Sequence, residues 1–134
     1  MGKSLITGGF GFIGHHLTRL LLERGEEVAV LDMVAGSRLG GAPEGVRTFR
    51  ADVSNWAQVL EVVKESGADC IYHASAMLPP ASEQNPQAAY SVNVTGTFNV
   101  LEAARLFGVR QVIFLSTLAT FGRDVPNVVP NDIA

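Results

Sequence analysis

The sequence predicts an α/β fold built on a doubly wound parallel sheet, and three observations predict it. Short apolar runs alternate with stretches whose apolar residues recur at helical spacing, and such alternation implies parallel strands joined by right-handed crossovers. The first run opens directly into Thr7-Gly8-Gly9-Phe10-Gly11-Phe12-Ile13-Gly14, a glycine-rich turn between a strand and a helix. The later runs lead into Asp32, Asp52, His73 to Ala76 and Ser116-Thr117, which places these residues on one edge, at the carboxyl ends of the strands, where ligands bind in such sheets. The expected strand order is 3-2-1-4-5.

The elements follow in order. Lys3 to Thr7 is a short strand, and Phe12, Ile13, His16, Leu17, Leu20 and Leu21 then recur at helical spacing up to Gly25, which sits where a left-handed cap belongs. Glu27 to Leu31 has the continuous apolar core of a buried parallel strand and ends in Asp32. Met33 to Gly45, with four glycines and a proline, reads as a loop with at most a turn of helix, and Val46 to Ala51 is a third strand.

Ser54 is the expected N-cap of a helix over Trp56 to Glu65, with Trp56, Val59, Leu60 and Val63 on one face and Gly67 at its end. Asp69 to His73 is a fourth strand, and Pro79-Pro80 with Ser82 marks an extended connection. Asn85-Pro86 places a capping side chain before a proline at the first helical position. One helix is expected from there to Phe107, with Tyr90, Val94, Phe98 and Leu101 as an apolar stripe, followed by Gly108 and a fifth strand over Gln111 to Leu115.

Composition limits the function classes. The chain has 134 residues, 47% of them hydrophobic, enough for one domain with a real core. Ten Lys and Arg against 13 Asp and Glu give a net charge of -3 with no basic run, which argues against nucleic acid or an anionic membrane as partner. No signal peptide or membrane-length apolar run is visible. The lone Cys70 excludes a disulfide framework and fits a cytoplasmic protein.

The glycine turn reads as a dinucleotide cradle in a Rossmann-type sheet. A pyrophosphate needs unpaired N–H groups, the positive end of a helix dipole and a main chain without Cβ atoms in the way. Gly8 suits a tight turn, Gly11 close approach to phosphate and Gly14 close helix packing. Two registers are open: Gly8, Gly11 and Gly14, or Gly9, Gly11 and Gly14.

Asp32 can accept hydrogen bonds from both hydroxyls of an adenosine ribose and would repel a 2′-phosphate; the alternative is a solvated strand-end aspartate. Arg38 in the following loop could neutralise a 2′-phosphate, but NAD is favoured over NADP. Asp52 either meets the adenine amino group or caps the next helix. His73 reads as a strand-end histidine satisfied by backbone, and Ala74, Ser75 and Ala76 leave room for a cofactor against the main chain. Asn93 lies in a run of poor helix formers, which points to a bridging hydrogen bond or a compensated kink. Ser116 and Thr117 offer hydroxyls to a substrate oxygen but lack a neighbouring base. His15 and His16 point to different sides of the first helix and read as structural, and no metal site is expected.

Together these motifs resemble the extended short-chain dehydrogenases/reductases, the NAD-dependent epimerase/dehydratase family. Thr7 to Gly14 is similar to its T-G-G-x-G-F-I-G, and Asp32 and Asp52-Val53 to its adenosine contacts. His73 to Ala76 resembles its H-x-A-A, with Ser75 in place of the first alanine, and Asn93 to Ala104 its N-V-x-G-T-x-N-x-L-E-A-A. Ser116-Thr117 with Phe121-Gly122 resembles S-[ST]-x-x-x-[YF]-G. The resemblance implies the Gly8, Gly11, Gly14 register. It also implies cofactor contacts from Gly8, Gly11, Phe12, Ile13, Gly14, Asp32, Asp52, Val53, Ala74, Ser75, Ala76, Asn93 and Ser116, with Thr117 as the catalytic hydroxyl. It further implies a nucleotide sugar or similar alcohol or carbonyl substrate and a homodimer through long helices.

One departure bears on mechanism. The family's general base is the tyrosine of Y-x-x-x-K, whereas Tyr72 and Tyr90 here are followed four residues later by Ala76 and Val94. An unassisted tyrosine, with a pKa of about 10, is a poor proton acceptor at neutral pH. The expectation is therefore the N-terminal part of an NAD(P)-binding domain, truncated after the fifth strand, whose substrate-binding part lies elsewhere; the chain alone would be inactive. The competing readings are a non-catalytic NAD(P)-binding sensor or scaffold that never had the Tyr-Lys pair and, more weakly, a flavin-binding domain.

Overall fold

Five parallel strands form the sheet, in the expected order 3-2-1-4-5; the computed structural model describes residues 2–117 and 119. They are β1 (Lys3–Thr7), β2 (Glu27–Asp32), β3 (Arg47–Arg50), β4 (Cys70–His73) and β5 (Gln111–Phe114). Thr7 pairs with both Leu31 and His73, Asp32 with Arg50, and His73 with Phe114. The register therefore brings the ends of all five strands to one edge.

Side chains alternate between two apolar faces, as a sheet covered on both sides requires. Leu5, Leu31 and Ile71 pack with Val59, Val63, Val100 and Ala103 on one face. Ile6, Val28 and Val30 pack with Phe10 and Leu21 on the other. Ile71 has no solvent exposure, so truncating it to alanine would cost about 2 to 5 kcal/mol.

Helix α1 (Phe12–Glu23) follows the glycine turn, but its buried face is Gly14, His15, Thr18 and Leu21. Phe12, Ile13 and Leu20, expected on the inner face, are exposed. The reason is spacing: α1 sits so close to the turn that a Cβ on Gly14 would run into the Gly8 carbonyl oxygen, so the face carrying this glycine turns inward.

Helix α2 (Trp56–Ser66) starts one residue later than the expected cap implies. Asn55, not Ser54, is its N-cap, with Oδ1 accepting the Gln58 N–H at 3.2 Å. Gly67 closes it at φ +58°, a conformation that favours glycine. Val59 and Val63 are buried as expected, whereas Trp56 is 38% exposed and Val62 takes an inner position.

The expected helix from Pro86 to Phe107 is interrupted. A short α3 (Ala81–Gln84) replaces the extended connection, α4 (Pro86–Tyr90) begins with Asn85 as its cap, a π-helical turn spans Ser91–Thr95, and α5 (Gly96–Leu106) continues from it. Gly96, Asn99, Val100, Ala103 and Ala104 face inward, while Tyr90, Val94, Phe98 and Leu101 face outward, each about half exposed or more. Close packing again sets the choice: a Cβ on Gly96 would lie 2.7 Å from Val53 Cγ2.

Candidate functional site

The glycine turn is shaped by contacts that exclude side chains. Gly8 has φ +68°, and a Cβ there would lie 2.8 Å from the Ser75 backbone nitrogen. A Cβ on Gly9 would lie 2.6 Å from the Val30 methyl groups, while one on Gly11 would meet only the Gly8 carbonyl, at 3.2 Å. Gly8, Gly9 and Gly14 are thus confined by the fold, and Gly11 keeps the approach open. Gly14 packs against the turn itself, not against the sheet.

The amino end of α1 carries no side-chain cap and no acidic residue in its first turn. Its dipole and N–H groups are therefore directed to the space above the turn, the arrangement that binds a phosphate. Phe12 and Ile13 open that first turn; their side chains are exposed, and neither lines the cleft around Asp32. Gly14 is buried in the same turn and lies outside the lining of that cleft.

A cleft of about 300 Å³ opens beside this helix end, lined by eight of the expected residues: Gly8, Gly11, Asp32, Asp52, Val53, Ala74, Ser75 and Ala76. Asp32 Oδ2 accepts the Phe10 N–H at 3.0 Å and Oδ1 accepts the Val34 N–H at 3.2 Å. These bonds aim the carboxylate and leave further lone pairs for hydroxyl donors. Asp52 Oδ1 accepts the Ser54 N–H at 2.8 Å, a turn that does not cap α2, so its alternative role as N-cap is excluded. Phe10, at the variable position of the glycine motif, and Val92, which no motif marked, also line the cleft. Arg38 lines an adjoining cavity that shares Phe10, Gly11 and Val34 with the first.

Asn93 belongs to the π-helical turn, lies outside this lining, and bridges to Met77: Oδ1 accepts the Met77 N–H at 2.7 Å and Nδ2 donates to its carbonyl at 3.0 Å. The expected bridge is present, to a loop and not to neighbouring strands. Asn99, the second asparagine of the N-V-x-G-T-x-N-x-L-E-A-A resemblance but given no role there, donates from Nδ2 to the Val53 carbonyl at 2.9 Å and is buried. It holds the cleft wall against α5, and its place at inward helical spacing from Gly96 and Val100 is the signal that could have found it.

His73 is buried and satisfied by side chains, not by backbone as expected: Thr7 Oγ1 lies 2.6 Å from Nδ1 and Thr97 Oγ1 lies 3.0 Å from Nε2. Burial pushes its pKa down to about 4, because the charged form is poorly solvated there. Ser116 and Thr117 follow β5, are exposed, and do not line the cleft around Asp32. The Ala119 N–H donates to Thr117 Oγ1 at 3.2 Å. Phe121-Gly122 lies outside the described residues. Among the described residues no group of His, Cys, Asp and Glu could hold a metal ion, and no helix is long and apolar enough to cross a membrane.

The model of the NAD dependent epimerase/dehydratase family matches residues 4–133. The chain is 34% identical over 127 residues to a UDP-glucose 4-epimerase of Lacticaseibacillus casei, covering 93% of this chain and 38% of that protein. It is also 34% identical over 134 residues to a 3-beta-hydroxysteroid dehydrogenase of Mycolicibacterium neoaurum, covering 95% of this chain and 36% of that one. The structure of the Thermus thermophilus UDP-glucose 4-epimerase in complex with NAD superposes with a TM-score of 0.79 at 39% identity, over 85% of this chain and 37% of that one. The chain thus spans well under half the length of these relatives.

Proposed function

The chain belongs to the NAD dependent epimerase/dehydratase family, and from that premise we propose that residues 1–134 form the N-terminal, dinucleotide-binding portion of an NAD-dependent epimerase, dehydratase or reductase. Its substrate is a nucleotide sugar or a similar alcohol or carbonyl compound. One observation carries this reading: the uncapped amino end of α1 and the backbone-aimed carboxylate of Asp32 border the same cleft. That pairing matches a pyrophosphate next to a ribose with a free 2′-hydroxyl, and the open approach at Gly11 fits the group sterically.

When bound, NAD supplies the hydride acceptor and donor for chemistry at a carbinol. The chain's own residues bind and orient. The first turn of α1 and Gly11 hold the pyrophosphate, Asp32 accepts the ribose hydroxyls, and Asp52 and Val53 border the adenine. Ala74, Ser75 and Ala76 provide a flat wall, with Asn93 fixing the loop behind it and Ser116 beside it. Thr117 orients the substrate oxygen. Tyr72 is unsuited to accept the proton, since burial raises its pKa, so we assign that step to a Tyr-Lys pair outside these residues. The outward stripe Tyr90, Val94, Phe98 and Leu101 supports a homodimer through this helix, and the buried free thiol of Cys70 fits a reducing cytoplasm.

Calorimetric titration tests the reading: saturable NAD binding that weakens in Asp32→Ala is expected, and a wild-type protein that does not bind NAD overturns it. In the full-length protein, Thr117→Ala should lower turnover and keep NAD affinity. The second reading, a non-catalytic NAD(P)-binding sensor or scaffold, differs in that the complete protein would lack the Tyr-Lys pair of Y-x-x-x-K. Finding that motif in the coding sequence shortly after Ala134 decides for the enzyme, and a stop codon there decides for the sensor.

A further inference from the structure

The hydroxyl and imidazole protons around His73 can be placed by counting. Thr97 has one hydroxyl proton, and its oxygen lies 2.7 Å from the Asn93 carbonyl, which can only accept. At 3.0 Å from His73 Nε2, Thr97 Oγ1 must therefore accept from an Nε2–H. A neutral imidazole protonated there has a bare Nδ1, to which Thr7 Oγ1 donates at 2.6 Å. The Thr7 oxygen in turn accepts the Ser75 N–H at 3.3 Å.

The chain runs in one direction, from the Ser75 amide through Thr7, His73 and Thr97 to the Asn93 carbonyl. The reverse direction would aim two donors at the Thr7 oxygen and leave its own proton without an acceptor among these groups. One end lies in the cleft wall, at Ser75, and the other holds Met77, the residue after the wall residue Ala76. Thr7 precedes Gly8, whose α-carbon packs on Ser75, and Asn93 holds the backbone of Met77. The Phe114 ring is stacked against His73 at 5.8 Å.

We propose that His73 is a positioning residue of the cofactor cleft: as a neutral Nε2–H imidazole it fixes the glycine turn and the 74–77 loop against the π-helical turn. It is thereby excluded as a proton acceptor, because its one lone pair is held by Thr7. This rests on the NAD-binding reading for its consequence, but the tautomer is independent of it. The Thr7–His73 link at the centre is buried, and aligned neighbours polarise one another, so loss of one link loosens the others.

The test uses the full-length protein labelled with 15N-histidine, with His73 assigned from the signal lost in His73→Gln. Long-range 1H–15N spectra without cofactor should show a neutral ring protonated on Nε2 at neutral pH. Thr97→Val removes the acceptor and should shift the tautomer and weaken NAD binding roughly tenfold, as loss of a hydrogen bond of about 1 to 1.5 kcal/mol would. Thr97→Ser should restore both. A ring protonated on Nδ1, an imidazolium at neutral pH, or a Thr97→Val protein that binds NAD as tightly as wild type overturns the proposal. Failure of the wild type to bind NAD instead defeats the functional reading, and the tautomer is still decided by its own spectrum.

Discussion

The side-chain amide of Asn93 closes a two-bond ring on the backbone of Met77, accepting its N–H at 2.7 Å and donating to its carbonyl at 3.0 Å. The helix that crosses below the sheet edge therefore holds the loop that leaves β4. Both bonds are solvent-exposed, so water can replace the amide at modest cost. Asn93→Ala is expected to lower stability by about 1 kcal/mol while weakening NAD binding, because the loop loses its fixed position. Urea unfolding and a cofactor titration on the same variant separate the two effects, and an unchanged affinity would refute the link.

His73 predicts a pH dependence of stability. Its pKa in the fold is about 4, below the usual value of about 6.5 in the unfolded chain. Between these values the unfolded state binds the extra proton, so stability rises with pH there. The contribution is fully present above about pH 6.5 and is lost as pH falls toward 4, reaching on the order of 3 kcal/mol. Unfolding free energies of wild type and His73→Gln, compared at pH 7 and at lower pH, should converge on acidification; parallel curves would count against it.

Gly14 and Gly25 should respond differently to alanine. At Gly14 the new methyl meets the Gly8 carbonyl, and α1 must move away from the turn. A loss of about 1 to 3 kcal/mol is expected, together with NAD affinity. At Gly25, φ is +77° with nothing within 4 Å, so only backbone strain of about 1 to 2 kcal/mol applies. Gly25→Ala should therefore keep its NAD affinity, which calorimetry on the two variants will show.

Asp32→Ala should alter cofactor choice. It removes a charged acceptor worth about 1.5 to 3 kcal/mol, or roughly tenfold to a hundredfold in NAD affinity. It also removes the charge that repels a 2′-phosphate, with Arg38 in the adjoining cavity. The ratio of NADP to NAD dissociation constants is expected to fall, and a constant ratio would show that Asp32 does not read the ribose.

The strands, their order and the cleft were legible because each depended on local patterns: apolar runs, glycines at turns and polar residues at strand ends. Inner and outer helix faces were not. Phe12, Ile13 and Leu20 look like core residues, yet Gly14, His15 and Thr18 take the inner positions because α1 lies so near the turn that only glycine fits at position 14, which turns that face inward. The partners of His73 are Thr7, 66 positions away, and Thr97, 24 away, and such pairings leave no trace in spacing. The motif marks the position of Asn99 but not its partner, since its acceptor is a backbone carbonyl that any residue would provide.

The π-helical turn at Ser91–Thr95 has a consequence for angular phase. An α-helix advances about 100° per residue, and a π turn holds one residue more than an α turn, so the segments on either side of it are rotated out of step by roughly that angle. Asn93 can face the loop after β4 while Thr97 faces His73 and Gly96 faces Val53. Deleting any one residue between 91 and 95 would turn the rod into an ordinary helix and rotate one set of contacts away from its partners. The extra residue works as a fixed twist, and the rod carries two bearings on a single axis.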